Sequence, residues 1–300
     1  MLMVTRLRPR PSTAALLNRL SEHSAPYADP VACIDWSRLD PSRFWLPGPA
    51  LSLAGDADFD ALPAPIQRRL SQFEFLQLLQ GGLWVEGLFM ERIARHSLQA
   101  TASSAELRYW LHELREEAGH SLMFVEFMAR CGLPNVPTPR FGLSVVNAVA
   151  RAVPFDSVAF WVAVWLGEEI SDRINRSVRA APQEEVCPVV RQIVTLHAID
   201  EARHIAAARR AVEERLEGVS EPGRRRLTWL ANLLVGRFVE YLYYPGEAVY
   251  RAAGLPGGHN WARRARRNPA RARFLAATLD PLQTRLHALG LGIHLQPTRP

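Results

Sequence analysis

The pattern Glu-x-x-His occurs twice in this 300-residue sequence, as Glu117–His120 and as Glu201–His204. On a helix, residues three apart share a face, so each pair presents a carboxylate and an imidazole side by side. Both lie on apolar stripes. Leu114, Phe124 and Phe127 extend the first, and Ile193 and Ala208 extend the second. His197 precedes Glu201 by one turn, so His197, Glu201 and His204 fall within an arc of about 60°. Charged and polar groups turned toward a core need partners there. Two such stripes are most simply reconciled if they face each other in a helical bundle.

Two further glutamates lie on the remaining apolar helices. Glu86 sits in "GGLWVEGLFME", sharing a face with Leu79, Leu83, Phe89 and Ile93. Glu168 and Glu169 end an aromatic stripe that contains Trp161 and Trp165, and either can be the inward residue. The order is therefore Glu, Glu-x-x-His, Glu, Glu-x-x-His on four successive helices, the ligand order of di-iron carboxylate bundles. Oxygen and nitrogen donors of this mix suit iron, with manganese as a substitute. Asp200 and Arg203 flank the fourth-helix ligands and are expected to support them from outside. His96, His112, His287 and His294 are expected at the surface, the tryptophans in the core, and the cysteines as small buried residues.

The fold class expected is all-α, a ferritin-like four-helix bundle. Helix-favouring residues at 3.6 spacing run over 65–98, 104–131, 155–180, 185–216, 221–252 and 269–289. Ser103, Ser104 and Glu106 can cap the second of these, and Gly132, Pro134, Pro137 and Pro139 end it. Residues 1–60 read as an irregular, Pro- and Asp-rich arm that wraps the bundle. Residues 65–216 hold the four ligand-bearing helices and 217–300 the additional ones, all within one domain over 1–300.

The formal charge of +6 and pI of about 9.8 arise from arginine alone, since the chain has no lysine. The basic residues are scattered outside Arg224–Arg226 and Arg263–Arg267, without interleaved aromatics, so nucleic acid is not an expected partner. Cys33, Cys131 and Cys187 form no disulfide framework, and a reducing cytoplasm is the expected location. The longest apolar stretch, 154–167, is too short to span a bilayer, and 1–11 lacks the apolar segment of a secretory signal. No G-x-G-x-x-G fingerprint offers a nucleotide site, so electrons are expected from an external donor.

With these residues in hand, the chain resembles the di-iron N-oxygenases related to the p-aminobenzoate N-oxygenase of aureothin biosynthesis. The resemblance rests on the added histidine in His197-x-x-x-Glu201-x-x-His204, on the "IDW…FWLP…LSL" arm over 34–53, and on the ligand order across 86–204. It covers roughly residues 25–250. Glu116-Glu117 departs from the Asp-Glu that relatives often carry. The resemblance implies seven ligands: Glu86, Glu117, His120, Glu169, His197, Glu201 and His204. Glu169 is preferred over Glu168 on the family's spacing to the added histidine. It further implies two iron ions that activate O₂ to oxygenate an amine through hydroxylamine and nitroso to nitro, in natural-product biosynthesis, within a homodimer. Competing readings are a C-hydroxylase or other oxidase with the same site, a ferritin-like iron-handling protein, and a metal-free helical protein.

Overall fold

The computed structural model describes residues 12–98, 103–137 and 141–295. In chain order the helices are α1 (Thr13–Ser24), α2 (Ala57–Asp60), α3 (Ala64–Ser97), α4 (Ser104–Arg130), α5 (Phe141–Ala152), α6 (Val158–Ala180), α7 (Pro188–Glu217), α8 (Glu221–Tyr243), α9 (Glu247–Ala252), α10 (Gly258–Arg267) and α11 (Pro269–Ala288). Short 3₁₀ turns at Trp36–Arg38 and Gly48–Ala50 punctuate the arm. Among the described residues there is no strand, only one isolated bridge between Phe44 and Val186. No described helix is long and apolar enough to cross a membrane.

The bundle is α3, α4, α6 and α7, with α3 packed along α4, α6 along α7, and α4 meeting α7. Local chemistry sets several boundaries. Ser103 and Glu106 close a capping box on α4, the side chain of each accepting from the other's backbone N–H. Ser157 accepts from the Phe160 N–H and starts α6 three residues later than the periodicity suggests. Pro188 opens α7 at the first helical position, where its missing N–H costs nothing.

The arm is more ordered than a Pro- and Asp-rich stretch implies. Ser12 caps α1, which lies across α4 and α7. Thr13 bonds Glu214, and Arg115 donates to the Ser24 carbonyl. Tyr27 and Pro30 then press directly on α4 at Gly119. A Cβ there would sit 2.4 Å from the Tyr27 hydroxyl oxygen, so only glycine admits the contact. Further on, Trp45, Leu46, Leu51 and Leu53 are buried, and Trp45 meets Phe127 and Phe75 edge-on at 4.9 and 6.3 Å. Each such side chain contributes roughly 1.5–3 kcal/mol by burial.

The C-terminal helices grip the arm and the bundle together. Arg271 of α11 is buried and donates to the carbonyls of Ala50 and Tyr243, each at 2.6 Å. Asn268 caps α11 and also donates to the carbonyl of Ala54. The expected helix over 221–252 is two, α8 and α9, broken around Pro245. Helices α1, α2, α5 and α10 were not legible in the sequence. His96 is buried, stacked on Phe155 at 4.0 Å, rather than at the surface. Conversely Cys33 is exposed, and Trp229 is 64% exposed.

Candidate metal centre

Four helices deliver seven acidic and imidazole side chains to one buried pocket. They fall into two groups whose donor atoms lie within 4.8 Å of one another: Glu86, His120 and His197, and Glu117, Glu168, Glu201 and His204. Every one is buried. The two groups interlock. Glu201 Oε1 is 3.2 Å from His197 Nε2, 3.6 Å from His204 Nδ1 and 3.8 Å from His120 Nδ1. Glu117 reaches His204 Nδ1 at 3.0 Å with one oxygen and His120 Nδ1 at 3.6 Å with the other. Both carboxylates therefore touch nitrogen donors of both groups.

Of the seven residues expected, six are brought together here, and the seventh, Glu169, is not. Glu168 faces the pocket, whereas Glu169 turns away. Glu169 accepts from Trp165 Nε1 at 2.8 Å and pairs with Arg173 and with Arg285 at 2.9 Å. The physical reason is charge pairing with an outside helix: Arg285 of α11 meets Glu169 on its outer side. Arg173, four residues on from Glu169, adds a cation to that same side, while Glu168 has Asp172 at that spacing. That i, i+4 cation was the signal available in the sequence.

An outer ring orients the inner one. His120 Nε2 is 3.1 Å from Asp200, and His204 Nε2 is 2.9 Å from Glu116, which also pairs with Arg203. With the protons on Nε2, each ring donates outward and turns its Nδ1 lone pair inward. Asp200 and Arg203 thus sit where expected, but Glu116 was missed, its role hidden beside Glu117. For His197 the nitrogens are reversed: Nε2 faces inward and Nδ1 meets the Asn175 amide at 2.8 Å. Ser121 donates to Glu86 Oε2 at 2.9 Å, leaving Oε1 turned toward His197 at 3.4 Å. Phe124 lies 5.4 Å from the His197 ring and is admitted by Gly82, where a Cβ would come within 2.8 Å of it.

Six inward atoms have no hydrogen-bond partner: both oxygens of Glu117, both of Glu201, and Nδ1 of His120 and His204. Buried polar atoms are normally paired, and this many orphans pointing at one volume is what two cations would satisfy. Four carboxylates balance two divalent ions, and three neutral imidazoles complete the donor set.

Without cations, protons must serve instead. Burial, reinforced by Glu117, pushes Glu86 up to about 8 and Glu168 up to about 7. Burial and Glu168 raise Glu201 well above the usual carboxylate range. Glu117 goes the other way, because His204 and His120 outweigh its burial. Burial would lower His120, but Asp200 and Glu117 lift it to about 10. His197 is held down at about 3 by burial and by His120. Metal ligation requires deprotonated donors, so the protons on Glu86, Glu168, Glu201, His120 and His204 must leave. Raising the pH through 7 and 8 removes the first two in advance. Divalent-metal affinity is therefore expected to climb with pH, by about tenfold or more per unit between pH 6 and 7. Calorimetric titration at pH 6, 7 and 8 measures it, and a flat profile would contradict this protonation pattern.

A family model described as P-aminobenzoate N-oxygenase AurF matches residues 10–290 of the chain. Uncharacterized proteins of Mycobacterium bovis and Mycobacterium tuberculosis are each 26% identical over 254 residues, covering 80% of this chain and 72% of the relative.

Proposed function

The chain belongs to the p-aminobenzoate N-oxygenase family, and on that premise we propose that it is an O₂-dependent di-iron monooxygenase acting on an amine nitrogen. The observation that carries this reading is the buried set of four carboxylates and three imidazoles with six unpartnered inward atoms. Glu86, His120 and His197 would hold one iron, and Glu117, Glu168, Glu201 and His204 the other. The third histidine supports an oxygenase over an iron-storing bundle, since duplicated Glu-x-x-His with two lone glutamates suffices to hold two metals.

When bound, a di-iron pair supplies O₂ reduction and oxygen transfer. The remaining work falls to the chain. Asp200 and Glu116 hold the His120 and His204 rings in the tautomer that offers Nδ1 inward. Ser121 restricts Glu86 to one free oxygen. The aromatic and aliphatic side chains of the bundle, Phe89, Phe124, Trp161 and Trp165 among them, exclude water, which keeps charge interactions strong at the site. The first step in balance is R–NH₂ + O₂ + 2e⁻ + 2H⁺ → R–NHOH + H₂O, and repetition leads toward nitroso and nitro. The electrons come from a separate donor, because the sequence carries no nucleotide fingerprint.

The test is product analysis. Reduced, iron-loaded protein exposed to ¹⁸O₂ with a panel of aryl and alkyl amines is expected to yield at least one product carrying ¹⁸O on nitrogen, read by mass spectrometry. Label on carbon instead would favour a C-hydroxylase and sink the N-oxygenase reading.

A further inference from the structure

The turn of α6 that carries Glu168 is held from outside the four-helix bundle. Its neighbour Glu169 is 1% exposed and is met from three directions: by Trp165 one turn before it, by Arg173 one turn after it, and by Arg285 from α11. One residue further, the Ile170 carbonyl accepts the Tyr243 hydroxyl of α8 at 2.7 Å. Arg271 links those two outer helices by donating from α11 to the Tyr243 carbonyl.

Consecutive positions on a helix point about 100° apart, so Glu168 and Glu169 cannot both face the pocket. The rotation of α6 chooses between them. Packing alone discriminates poorly, because α6 is buried on nearly every side from Leu166 to Ile170 and again from Asp172 to Asn175. Trp165 and Arg173 cannot fix that rotation relative to the other ligands, since they turn with α6 itself. Only a contact from another element can. Asn175 makes one such contact, with His197, seven residues from Glu168; Arg285 and Tyr243 make theirs within two residues of it.

We infer that Arg285, backed by Tyr243, is a positioning residue for the metal pair: by holding Glu169 outward it fixes the rotation of α6 that delivers Glu168. The inference rests on the reading of Glu168 as a metal ligand. It makes the C-terminal helices a working part of the site. Arg285 is 40% exposed, so it can be replaced without opening the core.

The test uses the full chain and Co²⁺ as a probe, read by visible absorption and by titration. Arg285→Met keeps most of the apolar stem and removes the charge. Arg285→Lys keeps a charge at that site. The parent is expected to bind two Co²⁺. Arg285→Met is expected to keep the parent's helical circular dichroism while one of the two sites weakens about tenfold, the lower end of what losing a supporting partner costs. Its ligand-field bands should shift, and Arg285→Lys should recover most of both changes. Parent-like affinity and spectrum in Arg285→Met would overturn the inference and leave the metal centre standing. Equal weakening at both sites without rescue by lysine would also overturn it. A parent that binds no cobalt would bring down the metal-centre reading and this inference together.

Discussion

Replacing Glu201 with alanine is expected to take the protein from about two bound irons per chain to fewer than one, and to abolish turnover. The magnitude follows from where the carboxylate lies. Its oxygens are both unpartnered, and Oε1 is within 3.8 Å of nitrogen donors from all three histidines. Loss of an outer partner typically costs about 10–100-fold in metal affinity. A donor that spans both groups should cost more than that at each. Stability is expected to move the opposite way. In metal-free protein Glu201 is a buried acid crowded by Glu168, so the metal-free variant should melt no lower than the metal-free parent. Iron analysis after anaerobic loading, paired with thermal unfolding, checks both halves. Two irons retained in Glu201→Ala would remove this carboxylate from the ligand set.

Glu168→Ala and Glu169→Ala are expected to fail in opposite ways, although they are neighbours. Glu169→Ala strips the carboxylate from Arg173, whose side chain is 9% exposed, and from Arg285. Breaking a buried ion pair by removing one partner costs about 3–5 kcal/mol. At about 2–4 °C per kcal/mol for a chain of this size or somewhat smaller, the melting temperature should fall by roughly 10 °C. Metal binding in whatever remains folded should weaken far less than in Glu168→Ala. Glu168→Ala leaves those arginines paired and removes a pocket donor, so its melting temperature should hold while iron is lost. Circular-dichroism melts and iron content on both variants decide the matter. Iron loss confined to Glu169→Ala, with Glu168→Ala intact, would restore the assignment drawn from family spacing.

That pair of residues also marks where sequence reasoning reaches its limit. His197, Glu201 and His204 were legible because their spacing alone puts all three on one face of α7, and Glu117 with His120 likewise on α4. Around Glu168 and Glu169, α6 is buried on nearly every side, so burial alone does not choose between the two. Trp161 stands seven residues before Glu168 and Trp165 four before Glu169, and both tryptophans are fully buried. Either glutamate therefore fits the stripe. Arg173 was a readable clue, but its weight depends on Arg285, which lies more than a hundred residues further along the chain.

The amino-acid sequence by itself determined the helical class, the four helices that carry the pocket side chains to within a few residues, and six of those seven side chains. These depend on spacing along one helix, which local geometry dictates. Tertiary structure decided the rest. Helices α1, α2, α5 and α10 are short, and short helices take their stability from packing rather than propensity. Glu116, Asn175 and Ser121 became partners of His204, His197 and Glu86 only once α3, α4, α6 and α7 came together. The choice of Glu168 over Glu169 is a choice of helix rotation, and a helix's rotation is set by what it packs against, here by Arg285 and Tyr243 from helices that follow the bundle in the chain.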